Sequence, residues 1–333
     1  MQNDRCGSLL TASLLGLAIT FGGLLVPEAS AADGNAVAQA KAASPAPGVR
    51  ASVPGRQIVL NGMRYHVGDQ GSGDKVVLLL HGMPDTSSTW NNQIPALVQA
   101  GYRVLVPDML GYGETEKPTD PRRYSLENMV YDMIALLDAM GVQQVEMVVG
   151  HDWGAGVSWE LVLNFPDRFR RHVTMSVGHP DMMLLSDSPA DVKESWYMYL
   201  NAQPDSAQLY AANDGAFLKD IILPTHPELD EVWARMKEPE AMNGMLNWDR
   251  GNTMAAMYLA VATSTAPPRK CTVPTLGMWS TGDTYLWESQ MEASPALMGA
   301  AWRYLKVENA SHWLMLDQPE RVNAALLEWL ERS

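Results

Sequence analysis

Three titratable residues in this chain stand at the ends of apolar, β-branched runs, which is where a sheet presents reactive groups. Val145 to Val149 leads into Gly150-His151-Asp152-Trp153-Gly154-Ala155, and a helical pattern follows at once with Val157, Trp159, Leu161, Val162 and Phe165. Glycine two places before and two places after a central residue is the spacing of a strand-to-helix turn too sharp for flanking Cβ atoms. Serine usually holds the centre of such a turn; here it is Asp152, for which the plainer reading is a helix cap. Further on, Thr275 to Ser280 ends in Thr281-Gly282-Asp283, and Arg303 to Val307 leads to Asn309-Ala310-Ser311-His312-Trp313. The order nucleophile, acid, histidine places His312 opposite Asp152 with Asp283 orienting its ring. Asp181, after the preceding strand, is the alternative acid. Lys75 to Leu80 runs into His81-Gly82-Met83-Pro84, so the backbone N–H groups of Met83 and Trp153 are expected to form an oxyanion hole, with His81 structural.

An aspartate in the nucleophile position changes the reaction. A serine hydroxyl must lose a proton before it attacks, and its usual target is a carbonyl carbon. A carboxylate is already ionised at neutral pH and can displace a leaving group from saturated carbon, forming an ester. The histidine then activates water, and that water attacks the ester carbonyl. The expected partner is therefore a small apolar molecule with an electrophilic sp³ carbon, and the chemistry calls for no cofactor and no metal.

The elements that must position these residues are legible in the periodicity. Lys75 to Leu80, Arg103 to Pro107, Val145 to Val149, Val173 to Val177, Thr275 to Ser280 and Arg303 to Val307 are near-continuous apolar runs, as in strands covered on both faces. Between them lie amphipathic patterns such as Ser125 to Met140, stopped by Gly141, and a last helix opened by Pro319. Ile58 to Leu60 and Met63 to Val67 flank Asn61-Gly62, a hairpin signal. The alternation implies an α/β fold, a mostly parallel sheet with helices on both faces. Residues 57–179 and 269–333 form this core. Residues 180–268, dense in Met, Trp, Tyr and Leu and closed by Pro267-Pro268, read as an inserted helical cap.

The chain has 333 residues, 38 acidic and 24 basic, for a net charge of −14, which argues against nucleic acid as a partner. With 47% apolar and 19% charged residues it can bury a large core. Residues 1–31 read as an export leader: Arg5 precedes the apolar stretch Leu9 to Val26, and Ala29-Ser30-Ala31 offers a cleavage site. The protein is expected to be periplasmic or secreted, and no later segment is apolar enough to hold it in a bilayer. Cys6 leaves with the leader, so Cys271 has no partner for a disulfide within the mature chain. Residues 32–56, rich in Ala, Pro and Gly, read as a linker.

Together, His81-Gly82-Met83-Pro84, Asp108 with Gly111-Tyr112-Gly113, the Asp152 turn, Asp283 and His312-Trp313 resemble the epoxide hydrolases and dehalogenases of the α/β-hydrolase superfamily, over roughly residues 57 to 330. The resemblance implies a cis peptide before Pro84. It also implies that two cap tyrosines protonate the oxygen of an opening epoxide. Ser195-Trp196-Tyr197-Met198-Tyr199-Leu200 is similar to the first cap motif, with Tyr197 as the donor and Tyr199 as a further substrate contact. In the second, Leu246-Asn247-Trp248-Asp249-Arg250, Asp249 stands where these enzymes usually carry tyrosine. A neutral Asp249 would donate a proton; an ionised one would repel an alkoxide or pair with Arg250. Trp153, Tyr197 and Trp248 are expected to line an apolar, substrate-binding pocket.

Epoxide hydrolysis to a vicinal diol is the first expectation. Haloalkane dehalogenation by the same nucleophile is the alternative, with Trp196 or Trp248 as the extra halide donor that Met83 cannot be. A non-catalytic binding protein on the same fold is a third. No arginine follows Asp152, which sets small haloacids aside.

Overall fold

The structure is a computed structural model, and it describes residues 51–182 and 193–332. The expected leader and residues 32–50 of the expected linker lie outside the described residues, as do 183–192 of the expected cap.

Asn61 and Gly62, at φ 47° and 84°, close β1 (Gly55–Leu60) onto β2 (Met63–Gln70). The chain then alternates through β3 (Val76–Leu80), α1 (Ile94–Gln99), β4 (Arg103–Pro107), α2 (Leu126–Ala139), β5 (Met147–His151), α3 (Trp153–Asn164) and β6 (His172–Met175). A helical stretch follows: α4 (Trp196–Asn201), α5 (Ser206–Phe217), α6 (Leu229–Met236), α7 (Pro239–Gly251) and α8 (Met254–Thr263). The core resumes with β7 (Thr275–Gly282), α9 (Glu288–Ala293), β8 (Trp302–Ser311), α10 (Leu314–Asp317) and α11 (Pro319–Glu331).

One sheet of eight strands runs in the order β1-β2-β4-β3-β5-β6-β7-β8. β2 is antiparallel to both neighbours, and β3 to β8 are mutually parallel. Parallel pairing puts the carboxyl ends of β3, β5, β7 and β8 along one edge, so the loops that follow them open together. β3 and β5 are buried along their whole length, which is why they read as unbroken apolar runs. On α2, Met129, Met133, Leu136 and Leu137 form the buried stripe, and Ser125 caps the first turn by accepting the Asn128 N–H.

Some boundaries move from the sequence expectation. β5 runs on through His151 into the Asp152 turn, while Val145 makes only a bridge to Phe169. β6 stops at Met175 because Ser176 turns to φ 71°. Residues 51–56 are not linker. Val53 is buried, its N–H donates to Ser87 Oγ at 2.9 Å, and its carbonyl lies 2.8 Å from His66 Nε2. The local Pro-Gly composition suggested a loose segment, but one core-filling valine and its backbone bonds fix it in place.

The helices from α4 to α8 fall within the expected cap and contain no strand among the described residues. Side-chain bonds fasten them to loops at the carboxyl edge. Trp248 Nε1 donates to the Leu110 carbonyl at 2.9 Å, Asn252 Nδ2 to that of Tyr124 at 2.8 Å, and Tyr285 OH to that of Ile222 at 2.7 Å. Trp248 is fully buried against the rings of Trp153, Tyr112 and Tyr124, at centroid distances of 5.8, 6.2 and 6.3 Å. Trp248→Ala is therefore expected to destabilise the fold by about 3–5 kcal/mol in urea unfolding, because it leaves a cavity and an unpaired carbonyl. A loss below about 1 kcal/mol would mean that the cap is not fastened there.

Candidate active site

Asp152 sits between β5 and α3 with φ 53° and ψ −123°, a conformation that side chains rarely adopt and that aims this one away from the sheet. The turn closes only because its neighbours are small: a Cβ on Gly154 would lie 2.2 Å from the Leu80 carbonyl oxygen. The side chain makes no capping bond to α3, so the helix-cap reading fails. Asp152 Oδ1 instead accepts the Met83 N–H at 2.8 Å, from the turn after β3 in which the Met83–Pro84 peptide is cis. His81 supports that turn. Its Nε2 accepts the Met109 N–H at 2.9 Å and its Nδ1 lies 2.9 Å from the Gly82 carbonyl, while burial pushes its pKa down.

His312, in the loop after β8, places Nε2 3.6 Å from Asp152 Oδ2 and Nδ1 2.8 Å from Asp283 Oδ2. Burial of the ring opposes its charged form, but the Asp283 and Asp152 carboxylates outweigh that and raise its pKa to about 10. Burial would likewise raise Asp283. The His312 charge and the N–H groups of Tyr285 and Leu286, at 2.9 and 3.0 Å from Oδ1, hold it below the usual carboxylate range. Asp181, the alternative acid, is engaged elsewhere by Arg269, whose Nη2 lies 2.6 Å from its Oδ1.

Asp152 lies between two spaces. On one side an apolar cavity of about 110 Å³ is lined by Met83, Trp153, Tyr197, Met198, Asp249 and Met254, among others. On the other, a space of about 10 Å³ bounded by Asp152, Tyr197, Tyr285, His312 and Trp313 is about the size of one water molecule. Tyr197 lines both. Burial, followed by the nearby Asp152, Asp249 and Asp283 charges, drives its pKa far up, so the phenol keeps its proton.

The cap departs from the expected pocket in two places. Tyr199 is 42% exposed and turned to solvent, because α4 presents Tyr197 and Asn201, one turn apart, to the interior. Trp248 is core packing behind Trp153 and does not line the cavity, its indole N–H being committed to Leu110. Arg250 forms no pair with Asp249; its Nη1 lies 3.0 Å from Asn243 Oδ1 and 3.2 Å from Asn247 Oδ1.

Several supporting residues went unnoticed in the sequence. The His151 ring packs against that of His312 at a centroid distance of 4.4 Å, tilted by 49°, with Nε2 3.0 Å from the His312 carbonyl; burial and the His312 charge lower its pKa to about 4. Tyr285 packs against both Tyr197 and His312, at 5.7 and 5.1 Å. Asn201 donates from Nδ2 to Asp249 Oδ2 at 2.7 Å. Its place four residues after Tyr197 on one helix was the signal for it.

Residues 75–319 match the family described as the alpha/beta hydrolase fold, and the chain belongs to that family. It is 30% identical to the AB hydrolase superfamily protein YfhM of Bacillus subtilis, over 82% of this chain and 96% of that protein. It is 29% identical to an epoxide hydrolase of Caballeronia sordidicola, over 82% of this chain and 92% of that one. A solved structure described among novel epoxide hydrolases from metagenomes of hot environments superposes with a TM-score of 0.74 at 27% identity, covering 85% of this chain and 100% of that one.

Proposed function

We propose that the protein hydrolyses an epoxide to a vicinal diol through an ester on Asp152. The observation that carries this reading is the position of Asp152, held at Oδ1 by the Met83 N–H, between an apolar cavity shared with Tyr197 and a water-sized space shared with His312. The named epoxide hydrolases among its relatives support it.

Asp152 Oδ2 attacks an epoxide carbon, the carbon–oxygen bond breaks, and the Tyr197 O–H donates to the ring oxygen as charge develops on it. Ester formation removes the charge on Asp152, one of the two carboxylates that hold the proton on His312. The pKa of the ring then falls, it releases that proton to solvent, and as a neutral imidazole it takes a proton from the attacking water, whose oxygen bonds to the Asp152 carbonyl carbon. The oxyanion develops on Oδ1, where the Met83 N–H already points.

Halide release is less well served by this site. Trp196 is 45% exposed and the Trp248 N–H is taken, so neither cap indole offers a second donor to a leaving halide. Incubation with styrene oxide and, separately, with a bromoalkane tests the reading. Diol without bromide is the expected result; bromide with an inert epoxide contradicts it. Tyr197→Phe should lower kcat for styrene oxide by about 10²-fold, and an unchanged kcat would remove Tyr197 from the reaction.

A further inference from the structure

The carboxyl group of Asp249 does no structural work that would account for it inside the cavity. It is 1% exposed and lines the same cavity as Asp152 and Tyr197. One oxygen, Oδ2, accepts the Asn201 Nδ2 N–H at 2.7 Å. The other, Oδ1, is buried and has no hydrogen-bond partner among the described residues. A carboxylate left in that state carries a large desolvation penalty, and among the described residues no cation pairs with it, the adjacent Arg250 turning to Asn243 and Asn247.

The neighbours decide where a proton sits. Tyr210 OH donates to Asn201 Oδ1, which fixes the amide with its NH₂ toward Asp249. An amide nitrogen donates and does not accept, so Oδ2 must act as the acceptor and the acid proton belongs on Oδ1. We infer that Asp249 is the proton donor of ring opening, a neutral carboxylic acid that Asn201 and Tyr210 hold with its Oδ1–H free for the substrate oxygen. The inference rests on the epoxide reading of the same cavity.

In the step this implies, the Asp152 Oδ2 to carbon bond forms as the carbon–oxygen bond of the epoxide breaks. The ring oxygen keeps the bonding pair and takes one proton, the one on Asp249 Oδ1, which leaves Asp249 as a carboxylate while the Tyr197 phenol, the weaker acid, keeps its proton and donates a hydrogen bond to the same oxygen. During ester hydrolysis water supplies one proton to the departing diol through His312, and the second returns to Asp249, so the cycle closes without a net proton change.

The groups that face Asp249 electrostatically are Asp152 from the elbow, Tyr112 from the loop after β4, Tyr197 and Asn201 from α4, and Tyr210 from α5. The tyrosines stay neutral through the range of interest, their pKa values being raised by burial. Burial and then the Asp152 charge push Asp249 up to about 8, against the opposing bond from Asn201. The acid form therefore prevails at neutral pH and is lost above about pH 8.

The test is the rate of alkyl-enzyme formation from styrene oxide in a single turnover, with enzyme in excess, followed by quenched-flow and intact mass from pH 7 to pH 9. The wild-type rate should fall by about tenfold across that range, as expected when one acid near the middle of it loses its proton. Asp249→Asn keeps the shape of the group and cannot give up a proton. Its rate should be at least about tenfold lower at pH 7 and flat to pH 9. A flat wild-type profile overturns the inference without needing the variant to fold, and so does a variant with the wild-type rate. Wild-type enzyme that forms no alkyl-enzyme with the epoxide but releases bromide from a bromoalkane overturns the parent reading, and this one with it.

Discussion

Asp152→Ala should abolish diol formation, lowering kcat by roughly 10⁴-fold or more, while the protein still folds. The reasoning is that no neighbouring group can replace the lost oxygen. Asp249 is neutral at pH 7 under the scheme above, and Asp283 spends its oxygens on His312 and two backbone N–H groups. Folding should survive because the side chain does not cap α3 and its one backbone bond, to Met83, lies at the cavity wall. Diol assays and urea unfolding on the same sample separate the two effects. Retention of more than about a hundredth of the wild-type kcat would mean that another group begins the reaction.

His312→Gln should have a different signature. Attack by Asp152 requires no base, so the ester still forms, but the water that cleaves it is no longer activated. Turnover should drop by about 10³-fold, and intact mass should show an adduct equal to one substrate molecule accumulating to near one per enzyme. The raised pKa of His312, to about 10, gives this expectation its physical content. In the resting enzyme the ring is a cation held between Asp152 and Asp283. Only when the ester neutralises Asp152 does it become the base. An inactive variant with unchanged mass after exposure to substrate would point to a binding protein on this fold.

The sheet and the Asp152, Asp283 and His312 constellation were legible because each rests on a strong local constraint. Strands buried on both faces must be apolar throughout, and the Gly150 and Gly154 spacing leaves few alternatives to a tight turn. Parallel strand order then brings three distant loops to one edge. The cap was less legible for a physical reason. α4 is only six residues long, too short for a stripe to declare its inner face, so Tyr197 was singled out as the donor but nothing in the pattern turned Tyr199 away from the pocket. Trp248 was expected in the pocket because of its type, yet its place behind Trp153 depends on contacts with Leu110, Tyr112 and Tyr124, which no short window of sequence contains. Asp249 posed the same difficulty in energetic form. Its protonation depends on burial and on Asn201, forty-eight positions away in the chain.

The claim on which the rest depends is that an oxygen of Asp152 becomes an oxygen of the product. One turnover in heavy-oxygen water, with enzyme in excess over styrene oxide, tests it directly by mass analysis of the diol and of the peptide carrying position 152. The account predicts unlabelled diol and label in the Asp152 side chain. Label in the diol after that first turnover, with the peptide unlabelled, would show water attacking the epoxide itself and would contradict it.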